Sequence, residues 1–273
     1  MHSRSDIGAL LDQHGLAPRR DLGQNFVVDA NTVRKIARLA EVGPTDHVVE
    51  IGAGLGSLTL ALAETGASIT AIEVDRGIAA ALRTVVAGLP NVKVVEDDAL
   101  RLDWAALLGA SARWVLVANL PYNVATPLVC DLLDFVPQVQ RMLVMVQREV
   151  AERLCAPAGT QAYGAVSVKV AYWATARIVA TVPASVFMPR PKVESALADI
   201  RRRPVPAVAV SPEPLFQLVR TAFGQRRKML RRSLADVVDA DVFDVASIDA
   251  QRRPEELDID EWGALTAAWL ATT

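Results

Sequence analysis

The chain has 273 residues, of which 52% are hydrophobic and 22% charged, and its formal net charge is −2. These values suit one large α/β domain with a small second domain, and they exclude a disordered, collagen-like or disulfide-stabilised chain. The two cysteines form no C-x-x-C pair and no metal-binding spacing with histidine, so we expect reduced thiols in a cytoplasmic protein. The N-terminus is too charged for a secretory signal. The longest uncharged run, 114–130, contains two prolines, so we predict no membrane span.

The predicted elements begin with two short helices. Asp6 is predicted to cap the first, which ends at Gly15, and the second runs from about residue 31 to residue 40. The chain then alternates between short apolar strands and helix-like segments. We predict strands at 47–51, 68–73, 92–96, 114–118 and 141–147, with helices at 57–64 and 77–86. Nearly continuous apolar strands separated by helices predict a mostly parallel sheet with helices on both faces.

The last third of the chain has a different pattern. Two β-rich runs, 166–182 and 194–202, predict an antiparallel pair that closes the sheet. A proline-punctuated connection follows, and Ser211 before Pro212 predicts the start of a helix. We therefore predict an α/β domain over residues 1–204 and a small helical domain over residues 205–273.

Charge is unevenly distributed along the chain. Residues 177–233 contain 12 Lys or Arg against 3 Asp or Glu, whereas residues 234–273 contain 2 against 10. This asymmetry indicates a region that faces a polyanion, followed by a tail that turns away from it. The alternative is a solvated charged helix face.

Glycines and carboxylates follow successive predicted strands. The first strand ends in EIGAGLG, which includes Gly52 and Gly54, and the next two are followed by Glu73 and Asp98. A dinucleotide fingerprint would place its third glycine at position 57, where this chain has Ser57. A glycine loop and two carboxylates at one sheet edge suit a nucleoside without phosphates, since a carboxylate accepts hydrogen bonds from ribose hydroxyls or an adenine amine.

The fourth strand is followed by the sequence NLPY, Asn119 to Tyr122. It could be a plain turn, because proline restricts the backbone around it. The functional interpretation is that a stiff loop holds the Asn119 side-chain oxygen and the Leu120 carbonyl toward one point beside an aromatic ring. Two acceptors and a stacking face fit a planar amine. The three histidines lie outside these motifs, so a strong catalytic base is not predicted.

Together these motifs resemble the Rossmann-like S-adenosylmethionine-dependent methyltransferases, and NLPY resembles the form typical of the rRNA adenine dimethyltransferases. Three further segments resemble that family in the right order: LGQNFVVD (22–29), FMPRPKVES (187–195) and FGQRRKMLRRSL (223–234). The first and last favour the small-subunit rRNA enzymes over the large-subunit enzymes of macrolide resistance. Val27 departs from the family, which more often has leucine, but a backbone contact should tolerate this change.

The resemblance implies S-adenosylmethionine as the methyl donor, with no metal, and assigns roles to individual residues. Cofactor binding is expected of Asn25, Val27, Gly52, Gly54, Glu73, Asp98 and Asn119. Catalytic roles are expected of Asn119, Leu120, Pro121, Tyr122 and Phe187, with Phe187 stacking on the target base opposite Tyr122. RNA binding is expected of Arg190, Lys192, Arg226, Arg227, Lys228 and Arg231.

The resemblance also implies a substrate. Two adjacent adenosines in a hairpin near the 3′ end of small-subunit rRNA would each receive two methyl groups, on an assembling small ribosomal subunit and from a monomeric enzyme. Three other interpretations are an assembly factor that does not use the cofactor pocket, an NAD-dependent dehydrogenase, and a DNA or protein-glutamine amine methyltransferase. Intact site motifs oppose the first, Ser57 opposes the second, and the segments FMPRPKVES and FGQRRKMLRRSL oppose the third.

Overall fold

The computed structural model describes residues 1–19, 21–109, 113–122 and 124–272. The chain divides into two compact units. One contains Met1–Ala151 and Arg177–Arg201, and the other contains Glu152–Ala176 and Arg202–Thr273.

Helices and strands alternate through most of the described chain. The helices are α1 (Arg4–His14), α2 (Ala30–Ala40), α3 (Ser57–Ala63), α4 (Arg76–Val86), α5 (Trp104–Leu108), α6 (Ala125–Phe135), α7 (Arg148–Cys155), α8 (Ala165–Trp173), α9 (Pro212–Gly224), α10 (Leu230–Ser233), α11 (Ala240–Val245) and α12 (Ile259–Thr272). The strands are β1 (Phe26–Val27), β2 (His47–Ile51), β3 (Ser68–Glu73), β4 (Val92–Glu96), β5 (Trp114–Asn119), β6 (Val139–Gln147), β7 (Ala174–Val182), β8 (Phe187–Met188) and β9 (Ser195–Arg202). Single turns of 3₁₀ helix lie at Ala184–Val186 and Pro254–Glu256.

The central sheet has the strand order β4-β3-β2-β5-β6-β9-β7 in the described part of the chain. The five strands β4, β3, β2, β5 and β6 run parallel, and β9 pairs antiparallel with β6. The predicted mostly parallel α/β sheet is therefore confirmed, and each of the five predicted strands is present. The order of the sheet reverses between β2 and β5, so the carboxyl ends of these strands border the crevice in which such sheets bind ligands.

The core of the first unit explains why the apolar runs become strands. Val48, Ile69, Val117 and Leu143 are each at most 2% exposed and pack in one cluster with apolar residues of α2, α3 and α4. Strands buried by helices carry apolar side chains on both faces, which is the pattern in the sequence. This packing holds the polar loops at the strand ends in place.

The predicted N-cap of the first helix, Asp6, is wrong, because the N-cap lies three residues earlier. Ser3 is the N-cap of α1, and its hydroxyl accepts a hydrogen bond from the Asp6 backbone N–H at 3.3 Å. The Asp6 carboxylate accepts from the Ser3 backbone N–H at 2.8 Å, so Asp6 occupies the third position of a reciprocal capping box. Gly15 ends the helix in the left-handed conformation, as predicted.

The predicted β-rich run 166–182 is only half strand. Its first part forms α8, which buries Val168 and Tyr172 at a spacing of one helical turn, and only Ala174–Val182 forms β7. These two side chains pack in the apolar core of the second unit with Leu215 and Trp262. Tertiary burial thus outweighs the β propensity of its valines. For the same reason Glu152–Ala176 belong to the second unit, whereas the sequence-based division places them in the domain 1–204.

Candidate methyl-donor and adenine site

Most of the predicted site residues line one cleft at the carboxyl edge of the parallel strands. The cleft residues include nine of those predicted: Asn25, Val27, Gly52, Gly54, Glu73, Asn119, Leu120, Pro121 and Tyr122. An adjoining cavity contains Asp98, and Gly52 and Pro121 lie in the walls of both. Loops that are distant in sequence therefore form one continuous crevice, because parallel strands deliver their ends to the same edge.

The glycine loop after β2 contains backbone conformations that would be strained in residues other than glycine. Gly52 and Gly54 have φ angles of 70° and 58°. A Cβ atom on Gly54 would lie 3.1 Å from a ring carbon of Phe26, in the segment that covers the cleft. The loop is anchored by the Gly52 N–H, which donates to the Ile72 carbonyl at 2.9 Å. These glycines bring bare backbone to the cleft wall.

Glu73, at the end of β3, is 5% exposed and holds the glycine loop directly. One of its carboxylate oxygens accepts a hydrogen bond from the Gly54 N–H at 2.9 Å, and the other accepts from the Asp75 N–H at 3.0 Å. Burial raises the pKa of Glu73, and these two donors partly oppose that rise. The carboxylate therefore joins two loops of the cleft and keeps further lone pairs for a ribose.

Asp98, to which the resemblance assigns an adenine contact, lies outside the cleft and beside it. It lines the adjoining cavity, together with the half-exposed side chains of Val74 and Leu100. One of its carboxylate oxygens accepts from the Leu100 N–H at 3.0 Å. Asp97, for which no role is predicted from the sequence, also lines this cavity. An apolar slot with carboxylates at its edge has the chemistry to hold a flat base that carries an amine.

The NLPY loop is fastened to three other segments. The Asn119 side-chain nitrogen donates to the Asn25 carbonyl at 3.0 Å, and the Leu120 N–H donates to the Met145 carbonyl at 3.0 Å. The Tyr122 and Ser195 hydroxyls form a hydrogen bond at 3.0 Å. Because the nitrogen of the Asn119 amide is occupied, its Oδ1 atom is the end that remains to accept from a ligand.

Phe187 is the one predicted catalytic residue that does not line the cleft. Its side chain is 0% exposed and lies in the apolar cluster of the first unit. Strand β8, to which it belongs, pairs antiparallel with β1, so that Phe187 is opposite Val27. This pairing turns the ring into the core. Stacking of Phe187 on a base stays a prediction.

Glu50 is a cleft residue to which sequence reasoning assigns no role. It lies in β2 directly before the glycine loop and is 2% exposed. Burial raises its pKa to about 8, the charge of Glu73 adds to the rise, and the Thr59 hydroxyl opposes it. Its Oε2 atom has no hydrogen-bond partner within the described structure. The signal available in the sequence is a carboxylate within an otherwise apolar, buried strand.

The predicted RNA-binding residues differ in what they contact. Arg190, Lys192, Arg227, Lys228 and Arg231 are exposed. Arg226 instead forms an ion pair with Glu255 at 2.6 Å and donates to the Gln161 carbonyl at 2.8 Å. Its guanidinium already joins two segments of the second unit. Its expected phosphate contact is therefore the least supported of the six.

No group of three or more His, Cys, Asp or Glu is placed to hold a metal ion in the part of the chain that the structure describes. Among those residues, no helix is both long enough and apolar enough to cross a membrane.

The chain matches the family described as Ribosomal RNA adenine dimethylase over residues 15–271. It is 44% identical over 280 residues to the Ribosomal RNA small subunit methyltransferase A of Bifidobacterium adolescentis, covering 97% of this chain and 92% of the relative. It is 48% identical over 236 residues to the protein of the same name from Thermobifida fusca, covering 85% and 81%.

Two solved structures have a similar fold. The 23S rRNA methyltransferase ErmE has a TM-score of 0.71 and 25% identity, with coverage of 89% of this chain and 99% of that one. A dimethyladenosine transferase from Plasmodium falciparum has a TM-score of 0.75 and 23% identity, with coverage of 87% and 94%.

Proposed function

Because the chain belongs to the ribosomal RNA adenine dimethylase family, we propose that it dimethylates the exocyclic N6 of two adjacent adenosines near the 3′ end of small-subunit rRNA. The target is a hairpin of the assembling small subunit in the cytoplasm, and the enzyme acts as a monomer. The relatives named small subunit methyltransferase A support the choice of subunit. Within the molecule, the observation that carries the proposal is the orientation of Asn119, whose nitrogen is occupied by the Asn25 carbonyl.

The cleft residues fit S-adenosylmethionine as the methyl donor. Two buried acidic side chains, Glu50 and Glu73, line the cleft, and no Lys, Arg or His is among its described lining residues. Such a surface favours a cation and disfavours a pyrophosphate. We assign the ribose to Glu73, the adenine to Asp98, and the methionine part to the wall formed by Asn25, Val27, Gly52 and Gly54. When bound, S-adenosylmethionine supplies the methyl group from its sulfonium.

The NLPY loop holds the acceptor amine. An adenine N6 amine is a poor nucleophile because its lone pair is delocalised into the ring. We propose that the Asn119 Oδ1 and the Leu120 carbonyl accept its two hydrogens, which favours a pyramidal nitrogen. Pro121 limits the motion of this loop, so the geometry is set before the base arrives. The Tyr122 ring provides a stacking face, and its hydroxyl is fixed by Ser195.

The RNA must present the adenine outside its stack. Flipping a base out costs a few kcal/mol and is easiest in a loop or a single strand. We propose that residues 205–273 form an RNA-binding domain in which Arg227, Lys228 and Arg231 contact phosphates, with Arg190 and Lys192 doing so from the first unit. Phosphate contacts of this kind supply affinity, while the cleft selects the base.

The direct test is incubation of the protein with labelled S-adenosylmethionine and small subunits that lack the modification. Mapping of the label should find N6,N6-dimethyladenosine at two adjacent positions near the 3′ end of the rRNA. Mature, already modified subunits and large subunits are the controls and should remain unlabelled. Label confined to large-subunit rRNA or to protein would refute the proposed substrate.

A further inference from the structure

The loop between β8 and β9, residues 189–194, lies beside the cleft and is held at both ends by cleft residues. Before the loop, Phe187 of β8 is opposite Val27 of β1. After the loop, the Ser195 hydroxyl forms a hydrogen bond with the Tyr122 hydroxyl at 3.0 Å. Val27 and Tyr122 both line the cleft. The loop therefore runs along the side of the cleft where we place the target adenine.

The sheet brings the end of this loop to the carboxyl edge of the parallel strands. Ser195 begins β9 and is opposite Gln147, the last residue of β6. On the other side of β6, Asn119 is opposite Met145. Asn119 and Ser195 are thus offset by only two residues along β6, which is about 7 Å. RNA that delivers a base to the NLPY loop must pass close to the loop that ends at Ser195.

Several features restrict the motion of the loop. Pro189 and Pro191 have fixed φ angles. The Arg148 backbone N–H donates to the Glu194 carbonyl at 3.0 Å, and the side chains of these two residues form an ion pair at 3.4 Å. The side chains of the loop are therefore presented to the RNA from a stiff support.

Val193 is an apolar side chain exposed at the bend of this loop. It is 46% exposed and lies between Lys192 and Glu194 in the sequence, three residues after Arg190. An exposed valine by itself is ordinary on a protein surface. This one lies beside a site that must receive a base, and the two adjacent cations suit the phosphates that flank such a base.

A flipped-out base creates a place for an apolar side chain in the RNA. The base leaves a gap in the stack, and flipping costs the free energy of the lost stacking contacts. Apolar side chains that insert between bases can occupy such gaps. Valine suits this task because its branched Cβ allows few rotamers, so it loses little conformational entropy on insertion.

On the basis of the proposed function, we propose that Val193 is a wedge that occupies the gap left by the target adenine and stabilises the RNA with that base in the cleft. Arg190 and Lys192 hold the flanking phosphates, while Val193 contacts the faces of the neighbouring bases. No covalent bond forms or breaks in this step. The wedge acts on the fraction of bound RNA whose adenine is flipped out. It should therefore change the rate of methylation at saturation more than the affinity for the RNA.

The test uses small subunits reconstituted on unmodified rRNA whose 3′ segment is a ligated synthetic oligonucleotide. The first substrate keeps both adjacent adenosines, the second has 2-aminopurine in place of one of them, and the third has an abasic nucleotide there. The abasic nucleotide removes a stacking partner of the remaining adenosine, so flipping needs less help.

Three quantities are measured with the full-length protein. They are the single-turnover rate of methyl transfer from labelled S-adenosylmethionine at saturating enzyme, the enzyme concentration that gives half of this rate, and the fluorescence of 2-aminopurine in the second substrate. This fluorescence rises when the base loses its stacking partners.

Val193→Ala should lower the single-turnover rate about tenfold on the first substrate, because two methyl groups leave an apolar contact, and no more than about twofold on the abasic substrate. The half-saturating concentration should stay within about twofold of wild type, since phosphate contacts dominate affinity. The rise in 2-aminopurine fluorescence should fall to less than about half of the wild-type rise. Val193→Ile should keep the wild-type rate. Val193→Thr, which keeps the shape but replaces a methyl group by a hydroxyl, should lose about threefold.

Val245→Ala is the matched control. Val245 is also an exposed valine, at 65%, but it lies in α11 of the second unit, and its replacement should change none of the three quantities. The Val193 variants should melt within about 1 °C of wild type, because the side chain is exposed in a loop.

Three results would overturn the inference. They are an equal loss of rate on the first and the abasic substrates, a loss of affinity with an unchanged saturating rate, and an unchanged rate in Val193→Ala on the first substrate. Failure of the proposed function would look different, because the wild-type protein would then label neither the first nor the abasic substrate.

Discussion

The cleft at the sheet edge and the basic segment of the second unit differ in the sign and the exposure of their ionisable side chains. The cleft has buried acidic side chains, and the basic segment has mostly exposed basic ones. In the cleft, Glu50 and Glu73 are buried, and one of them lacks a hydrogen-bond partner for an oxygen atom. In the basic segment, defined here as residues 226–232, Arg227, Lys228 and Arg231 are exposed to solvent, and Arg226 is neutralised by Glu255.

The difference separates two tasks. A buried charge interacts strongly and at short range, so it discriminates between ligands of different charge and shape. An exposed charge is screened within about 8 Å at physiological salt, so it attracts a polyanion without selecting a sequence. We therefore expect single substitutions in the cleft to have large effects, and substitutions in the basic segment to have small, additive and salt-dependent effects.

The largest effect is expected from Asn119→Ala. Loss of an acceptor aimed at the reacting amine should lower kcat by about 10²- to 10³-fold. The dissociation constant for S-adenosylmethionine, measured by calorimetry, should change by no more than a few fold. Normal turnover in this variant would contradict the role assigned to Asn119. It would also contradict the expectation that substitutions in the cleft have larger effects than those in the basic segment.

Glu73→Ala should weaken S-adenosylmethionine about 100-fold, because it removes the ribose acceptor and releases the backbone of Gly54 and Asp75. Calorimetry measures this directly. Glu73→Gln is the matched control: it retains one acceptor oxygen and should lose less affinity. Unchanged affinity in the alanine variant would show that the buried carboxylate has only a structural role.

Glu50→Gln should stabilise the ligand-free protein. The folded-state pKa of Glu50 is about 8, above the ordinary 4.5, so the folded state holds a proton that the unfolded state loses as pH rises. This penalty is absent below about pH 4.5, grows as pH rises and levels off above about pH 8. At about pH 7 the variant should be more stable by about 1 to 3 kcal/mol in denaturant unfolding, with the difference vanishing near pH 4.

The hydroxyls of Tyr122 and Ser195 should contribute to activity through the one hydrogen bond that they share. Tyr122→Phe and Ser195→Ala should each lower kcat/KM about 3- to 10-fold by loosening the ring beside the target base. The double variant should be no worse than either single variant, since both remove the same interaction. Multiplied losses would mean that the two hydroxyls act separately.

The smallest effects are expected in the basic segment. Replacing Arg227, Lys228 and Arg231 together by glutamine should reduce the slope of log affinity against log salt by about 2 for a single-stranded target. Arg226→Gln is the comparison variant. It should lower the melting temperature by about 2 °C through loss of the Glu255 pair, with little change in that slope. An equal change in slope would place Arg226 among the phosphate contacts.

Much of the first unit could be predicted from local pattern. The run HVVEI and the other four predicted strands form a sheet because short apolar runs separated by helical segments are best buried as parallel strands between layers of helices. The same logic places Gly52, Glu73, Asp98 and Asn119 at one edge, and the structure brings three of them into one cleft and Asp98 into the adjoining cavity. Residues 166–173 could not be assigned this way, because their valines favour a strand in isolation.

The sequence by itself determined which chemical groups stand at the ends of the strands, because the position of each strand along the chain and the type of each side chain are local properties. Only the tertiary structure decided how those groups are paired. It directs the Asn119 nitrogen to the Asn25 carbonyl, turns Phe187 into the core, commits Arg226 to Glu255 and leaves a Glu50 oxygen without a partner. Pairing and burial depend on residues far apart in the sequence, and it is burial that sets the pKa of a carboxyl and the strength of its interactions.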